Sequence, residues 1–237
     1  LEEAALAAAF SPRTKLIMVN TPLNPIGRVF DRGELELLAS FLKRYDAIAV
    51  CDEVYEHLVF DGRAHIPLIS LPGMRERCVR VGSAGKMFSL TGWKIGWIAG
   101  PQRLIHIITK AHQFNTFTTS PALQLGVAHG LEHEMDFALR NTRELEEKRD
   151  FVRGALTKAG FEMIACEGTY FITASIRDLT NENDRDFCQR ITREAGVAEH
   201  HRHDGVHPGL DLKARGGHSV AKALRVGHHL VAQRGGA

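Results

Sequence analysis

Residues 78–94, CVRVGSAGKMFSLTGWK, run from an apolar strand directly into a Gly/Ser turn that carries a lysine, Lys86. Apolar and β-branched residues that stop at a turn of small residues are typical of a buried strand. In α/β proteins the functional groups collect outside the carboxyl ends of such strands. The stretch therefore predicts a strand and, just beyond it, a candidate site.

Three known kinds of site place a lysine or serine in a comparable turn. A phosphate-binding P-loop needs glycine at position 80 and serine or threonine after the lysine, where this chain has Arg80 and Met87. The S-x-x-K motif of penicillin-binding enzymes fits Ser83 and Lys86, but the accompanying S-D-N and K-T-G motifs do not occur in the sequence. A nucleophile elbow needs glycine where Val81 stands. Taken alone, the motif is also compatible with a solvated loop lysine.

Apolar runs predict four strands, at residues 15–20, 47–51, 78–82 and 94–100. Helical patterns separate them, and one begins at Asp31 and Glu34, which have the spacing of a capping box. Strands that alternate with helices favour an α/β fold: a partial, mostly parallel sheet sandwiched by helices. In that fold Asn24, Asp52 and Lys86 all follow the carboxyl ends of strands.

The second half of the chain predicts a smaller α+β domain. Residues 121–159 are charged and helical in pattern, and residues 161–165 and 169–175 predict a strand pair that turns at Glu167 and Gly168. A helix is expected at residues 184–195. We therefore divide the chain into a partial large domain (1–135), a small carboxy-terminal domain (136–198) and a tail (199–237). The tail is rich in His, Gly and Arg and poor in large apolar residues, so we expect poor order there.

Composition excludes several classes of protein. The formal net charge of +2 is too close to neutral to indicate nucleic acid or a membrane surface. The four cysteines form no C-x-x-C pair, which is typical of free thiols in a reducing compartment. No stretch approaches the roughly 20 apolar residues of a membrane span, and the first residues lack the basic start of a signal peptide. We expect a cytoplasmic protein with no nucleic-acid or membrane partner.

Histidine spacing does not predict a functional metal site. His129 and His133 are four residues apart on a predicted helix, but no third ligand is evident nearby in the sequence, so a solvated helix face is the better interpretation. The cluster of His200, His201 and His203 can take up a transition metal adventitiously, and we assign it no function.

The lysine turn is accompanied by two other motifs. These are N-x-x-x-N-P-x-G, from Asn20 to Gly27, and DEVYEHLVFDG, residues 52–62. With the SAGK and TGWKIGW segments they resemble the class I aminotransferases of fold type I. The likeness is greatest to the kynurenine/glutamine and methionine aminotransferases and to the N-succinyldiaminopimelate aminotransferases. Order and spacing agree from about residue 10 to residue 196.

The resemblance implies a pyridoxal 5'-phosphate cofactor and two central roles. Lys86 would hold the cofactor as a Schiff base and, once released, move a proton between substrate and cofactor. Lysine suits both tasks because its charge responds to its surroundings. Asp52 would pair with the pyridine nitrogen and keep it protonated, so that the ring can accept electrons. Without the resemblance, a carboxylate at a strand end is commonly a helix cap.

Four further residues have implied cofactor contacts. Asn24 and Tyr55 would bind the 3'-oxygen of the ring, and Ser83 and Lys94 would bind the phosphate. Many relatives have arginine in place of Lys94, whereas lysine is typical of the kynurenine-type subgroup. Tyr170 resembles a small-domain residue at the mouth of the site, but an aromatic residue entering a strand is more often core, so it is not among the expected site residues.

The resemblance implies a homodimeric transaminase that moves an amino group between an amino acid and a 2-oxo acid. Two alternatives remain open: a pyridoxal-phosphate-dependent lyase acting on cysteine conjugates, and an inactive aminotransferase fragment. The resemblance implies that roughly the first 150 residues of a family member are missing. No arginine for the substrate carboxylate can be assigned after Ala198, and Arg225 is only a remote candidate. The composition changes abruptly after Ala198, which suggests the hypothesis that the reading frame slips near that residue.

Overall fold

A computed structural model of the chain describes residues 1–196 and the backbone of the short strand Ala223–Arg225. Helices and strands alternate through its first part, as expected for an α/β protein. The helices are α1 (Glu3–Ala9), α2 (Arg32–Arg44), α3 (Ala84–Met87), α4 (Gln102–Asn115), α5 (Pro121–His133), α6 (Met135–Lys158) and α7 (Asp184–Ala195). The strands are β1 (Leu16–Asn20), β2 (Ile48–Asp52), β3 (Cys78–Ser83), β4 (Gly96–Ala99), β5 (Glu162–Met163), β6 (Phe171–Ser175) and β7 (Ala223–Arg225).

The main sheet has the order β1-β2-β3-β4. The first three strands are parallel, and Asn20 lies opposite Asp52, which lies opposite Val81. β4 runs antiparallel, with Gly96 opposite Ser83, because the chain turns back directly after the lysine turn instead of crossing over the sheet. This confirms the predicted mostly parallel sheet with helices.

One face of the sheet holds the core. Helix α2 begins with the predicted capping box between Asp31 and Glu34, which the structure confirms. Its buried leucines pack with strand residues of that face, including Val19, Ala49 and Cys51. On the opposite face Leu16 and Met18 are 53% and 57% exposed, so the described residues cover this face less completely than the expected helix sandwich would.

A second, antiparallel sheet follows, in the order β5-β6-β7. The predicted strand pair and the helix at residues 184–195 are confirmed, and residues 121–159 form the two helices α5 and α6. β5 is shorter than expected. The boundary of the small domain near residue 136 remains a prediction. The expected poor order of the tail falls on residues outside the described part, apart from β7, which pairs with β6.

Among the described residues, no helix combines the length and the apolar character that crossing a bilayer requires.

Candidate active site

The candidate site lies beyond the carboxyl ends of β2 and β3. Asp52 ends β2 opposite Val81, and Ser83 follows Val81 by two residues, so all three share one face of the sheet. The next turn, α3, carries Lys86. Parallel strands with their ends aligned therefore bring the predicted carboxylate and the predicted lysine to the same edge.

The carboxyl of Asp52 is influenced by its burial and by Lys86. Burial raises the pKa of Asp52 above its ordinary value of 3.8, because desolvation penalises the charged form. The backbone N–H of Val54 and the positive charge of Lys86 act in the opposite direction, and Glu53 adds a further rise. A further cationic partner would offset the cost of this half-buried charge.

The amine of Lys86 is held between two tyrosines. Its Nζ is hydrogen-bonded to the hydroxyl of Tyr170. It also lies 5.3 Å from the ring centre of Tyr55 and 5.0 Å from that of Tyr170, within the range of cation–π attraction. The two rings meet edge to face, with centres 5.2 Å apart. The structure thus brings Lys86 and Tyr55 together, as expected, and adds Tyr170.

Glycine at position 85 allows the lysine turn to close. A Cβ there would lie 3.0 Å from Cα of Thr91, so a side chain would push the following 3-10 turn (Thr91–Trp93) away. The N–H of Ala84 donates to the carbonyl of Ile95, which ties the turn to the start of β4. This packing fixes the backbone on both sides of Lys86.

The Pro-rich loop after β1 is tied to the end of β2 by Asn20. The Asn20 amide donates to the carbonyl of Asp52 at 3.0 Å, and its oxygen accepts from the N–H of Asn24 at 2.8 Å. Asn24 itself is exposed, and its bond to Pro25 is cis. Asn20 was not predicted as a site residue, although it begins the N-x-x-x-N-P-x-G motif.

Ser83 and Lys94 lie near the two ends of the loop that joins β3 to β4. Ser83 is half-buried, and its side chain does not cap the helix that follows. Lys94 is exposed in the left-handed region, with φ of 57°, two residues before the Gly96 that pairs with Ser83. A hydroxyl and an ammonium group are therefore available on one loop.

Tyr170 reaches the site because the turn before it docks on the main sheet's loops. A Cβ on Gly168 would lie 2.6 Å from the carbonyl of Leu58, a separation that no side chain tolerates. The N–H of Thr169 donates to that carbonyl at 2.8 Å, and the N–H of Phe60 donates to the carbonyl of Glu167 at 2.9 Å. In the sequence, the feature that could have pointed to Tyr170 is Gly168, two residues before it. A glycine is needed there because the backbones of Gly168 and Leu58 touch.

The same turn also locks onto the Pro-rich loop. Gly27 has φ of +80°, and a Cβ there would lie 2.7 Å from the carbonyl of Gly168. The N–H of Glu167 donates to the carbonyl of Gly27, and the Glu167 carboxylate accepts from the N–H of Val29. The loops that carry Asn24, Tyr55 and Tyr170 therefore form one packed unit.

A buried charge cluster lies behind Asp52. Glu53 is fully buried and accepts a hydrogen bond from Nε of Arg80 at 2.6 Å. Its carboxylate also accepts from the N–H of Leu68 and lies 3.3 Å from Nε2 of His65. Arg80 forms a second ion pair, with Glu56. The cluster joins the turn after β2 to the middle of β3.

Helix α6 contributes one buried arginine to this region. Arg149 forms a two-pronged ion pair with Asp61, at 2.7 and 2.8 Å, and donates to the carbonyl of Cys166. Its guanidinium lies 4.9 Å from the ring centre of Phe60. These hydrogen bonds hold the pKa of Asp61 below its ordinary value. Arg149 thereby fastens the loop after Tyr55 to the segment before Gly168.

The rings of His129 and His133 on α5 lie with their centres 4.7 Å apart and are tilted by 54°. In the part of the chain that the structure describes, they belong to no group of three or more metal-ligating side chains.

Comparison with known proteins identifies the family. The model of the family described as aminotransferase class I and II matches residues 1–210. Kynurenine–oxoglutarate transaminase 1 of Rattus norvegicus is 39% identical over 189 residues, which cover 77% of this chain and 45% of the relative. The solved N-succinyldiaminopimelate aminotransferase of Mycobacterium tuberculosis is 38% identical with a TM-score of 0.82, covering 84% of this chain and 52% of that one.

A solved Escherichia coli protein, YbdL, for which a methionine aminotransferase function is described, is similar over a larger share. It is 31% identical with a TM-score of 0.84, and the match covers 95% of this chain and 57% of that one. The structural neighbours are fold type I aminotransferases, which defines the class of fold. The chain belongs to the class I and II aminotransferase family.

This chain spans about half the length of the relatives it matches. The family match also extends beyond Ala198, so the likeness reaches further into the tail than the sequence motifs indicated.

Proposed function

We propose that the protein is a pyridoxal-phosphate-dependent transaminase that moves an amino group between an amino acid and a 2-oxo acid. The observation that carries this proposal is that Asp52 ends β2 beside the strand that leads directly into the Lys86 turn, and that the charge of Lys86 offsets part of the rise that burial causes in the pKa of Asp52. Enzymes of the class I aminotransferase family, which share this fold, use pyridoxal phosphate as their cofactor.

The donor set fits the cofactor. Lys86 supplies an amine that can bond to an aldehyde, and the half-buried carboxylate of Asp52 suits a protonated ring nitrogen, whose charge would offset the cost of its burial. Ser83, whose hydroxyl does not cap its own helix, and Lys94 offer a donor and a positive charge for a phosphate. When bound, pyridoxal phosphate supplies an electron sink for the bond broken at the substrate Cα.

Each residue around the cofactor would then have a separate role. Lys86 would hold the cofactor through Nζ and carry a proton when its amine is free. Asp52 would keep the ring nitrogen protonated. Tyr55, which packs against the amine, and Asn24, on the loop that Asn20 anchors, would hydrogen-bond the ring oxygen. The turn at Gly168 would close the pocket on the small-domain side.

The proposal extends to a chemical class of substrate, to a partner subunit and to a cellular location. The relatives are named for kynurenine, N-succinyldiaminopimelate and methionine, so the shared chemistry is an amino acid paired with a 2-oxo acid. We propose a homodimer, as the family resemblance implies. We propose the cytoplasm as its location, because the four cysteines are free and buried.

Cofactor attachment tests the proposal directly. The purified chain is incubated with pyridoxal phosphate, reduced with borohydride and digested, and the modified lysine is located by mass spectrometry. We expect the modification at Lys86, with an absorbance band that disappears in Lys86→Ala and persists in Lys110→Ala, a control on the exposed side of α4. The absence of a band, or equal modification of Lys86 and Lys110, would support the inactive-fragment alternative and refute the proposal.

A further inference from the structure

We propose that Tyr170 is a catalytic residue whose hydroxyl binds the amine of Lys86 whenever that amine is not joined to the cofactor. The catalytic part of this inference rests on the proposed function. The contact itself does not, because it involves only residues of this chain.

The geometry gives the amine a defined resting place. A lysine side chain has four rotatable bonds, so a free amine loses its orientation unless other groups hold it. Here the Tyr170 hydroxyl bonds to Nζ, and the rings of Tyr55 and Tyr170 lie about equally far from it. The ring of Tyr55 comes from the turn after β2, and the ring of Tyr170 comes from the loop between β5 and β6. The amine is thus held by both sheets of the described fold.

The turn that presents Tyr170 is under backbone strain. Thr169 is fully buried and has φ of 70°, a strained conformation that β-branched residues rarely adopt. Its surroundings hold it there: its N–H donates to Leu58, and its hydroxyl accepts from the N–H of Phe171 at 3.2 Å. Strain of this kind is concentrated at functional sites, and here it lies next to the residue that contacts Lys86.

A phenol can serve the amine in both of its protonation states. When Lys86 is an ammonium ion, its N–H donates and the tyrosine oxygen accepts. When the amine has given up a proton, the tyrosine O–H can donate to the nitrogen lone pair, and no other proton has to move. A phenylalanine ring can do neither. The hydroxyl would therefore keep the amine in place while it takes up and returns the substrate proton.

The first test uses the chain without cofactor. Lys86 is labelled with an amine-specific acylating reagent near neutral pH, and the extent of labelling is measured by mass spectrometry relative to Lys110. In Tyr170→Phe the ring remains but the ammonium ion loses its acceptor, so we expect Lys86 to be labelled about tenfold faster. Tyr45→Phe, which changes a tyrosine packed against Phe10 and Phe41, is the matched control and should change nothing.

The second test uses the cofactor-loaded chain in a single turnover with an amino acid. Tyr170→Phe should bind the cofactor about as tightly as the wild type, yet transfer the amino group about tenfold more slowly. Deuterium at the substrate Cα should slow the variant more than the wild type, because proton transfer limits its rate. Equal single-turnover rates would overturn the catalytic role.

The two tests separate this inference from the proposed function. Unchanged labelling of Lys86 in Tyr170→Phe would overturn the contact, whether or not the cofactor binds. Faster labelling in a chain that forms no band with pyridoxal phosphate would uphold the contact, refute the catalytic role and refute the proposed function with it. Circular dichroism of each variant verifies that the fold is retained.

Discussion

Nε of Arg80 lies 2.6 Å from the carboxylate of Glu53, and this ion pair joins the middle of β3 to the residue immediately after Asp52. Glu53 is fully buried, so its charge depends on Arg80 for compensation. An isolated buried carboxylate is far more costly than one that is paired and hydrogen-bonded. The pair therefore holds the end of β2, with Asp52, and the turn that carries Tyr55 against the strand that leads to Lys86.

Removing Arg80 should destabilise the chain strongly. We expect Arg80→Leu to lower the free energy of unfolding by about 3–5 kcal/mol, since the buried carboxylate of Glu53 loses its guanidinium partner and keeps the N–H of Leu68 and the nearby ring of His65. Urea denaturation measures the change. The control is Arg32→Leu, which removes an exposed i,i+4 pair with Glu36 and should cost about 0.5 kcal/mol or less. The double variant Arg80→Leu/Glu53→Leu should recover part of the loss, and equal costs for Arg80 and Arg32 would contradict the argument.

Replacing Asp52 with asparagine should raise the stability of the chain and lower its affinity for the cofactor. Because burial raises its pKa, the folded chain binds the Asp52 proton more tightly than the unfolded chain does. The stability that this proton contributes is complete below pH 3.8 and is lost as the pH rises through the raised pKa. Above that window we expect Asp52→Asn to be the more stable protein and to bind pyridoxal phosphate more weakly, because it lacks the charge for the ring nitrogen.

Urea denaturation of the wild type and of Asp52→Asn from about pH 4 to about pH 8 measures this difference. Lys86 and Glu53 also act on Asp52, so Lys86→Ala should enlarge the difference by removing a favourable charge. Parallel pH profiles for the wild type and Asp52→Asn would show that burial does not perturb Asp52.

Much of the main sheet and the position of the candidate site follow from the sequence, for physical reasons. Apolar runs that stop at polar residues define the strands, and parallel strands align their carboxyl ends, so Asp52 and Lys86 had to meet if the strands were neighbours. The direction of β4 does not follow, because an apolar run does not encode whether its neighbour is parallel or antiparallel.

The residues that sequence analysis missed depend on contacts far apart in the chain. Tyr170 enters a strand, which is typical of core, and only the close approach of Gly168 to Leu58 turns it toward Lys86. Arg80 served only to exclude a P-loop, although a charged residue inside an apolar strand indicates a buried partner. Asn20 looks like an ordinary strand end until its two hydrogen bonds are seen.

The ion pair between Asp61 and Arg149 should make stability depend on acid. Because Arg149 lowers the pKa of Asp61, the pair's contribution is present above pH 3.8 and is lost as the pH falls through the lowered pKa. Asp61 is largely exposed, so we expect Asp61→Asn to cost about 1 kcal/mol or less at neutral pH, and nothing at the acid end. Urea denaturation across this range measures it, with Asp178→Asn on the exposed surface as the control. A cost that does not vary with pH would contradict the assignment.

Gly168→Ala should damage both the fold and the site. The added Cβ would lie 2.6 Å from the carbonyl of Leu58, and relieving that clash would break the hydrogen bond that Leu58 accepts from Thr169. We expect a loss of about 2 kcal/mol or more in the free energy of unfolding. Because Tyr170 would move with the turn, labelling of Lys86 should accelerate as it does in Tyr170→Phe. Gly154→Ala, in open space on α6, is the matched control and should stabilise the chain by about 0.5–1 kcal/mol. If Gly168→Ala were as stable as Gly154→Ala and left Lys86 labelling unchanged, the docking of this turn could not be what places Tyr170 against the lysine.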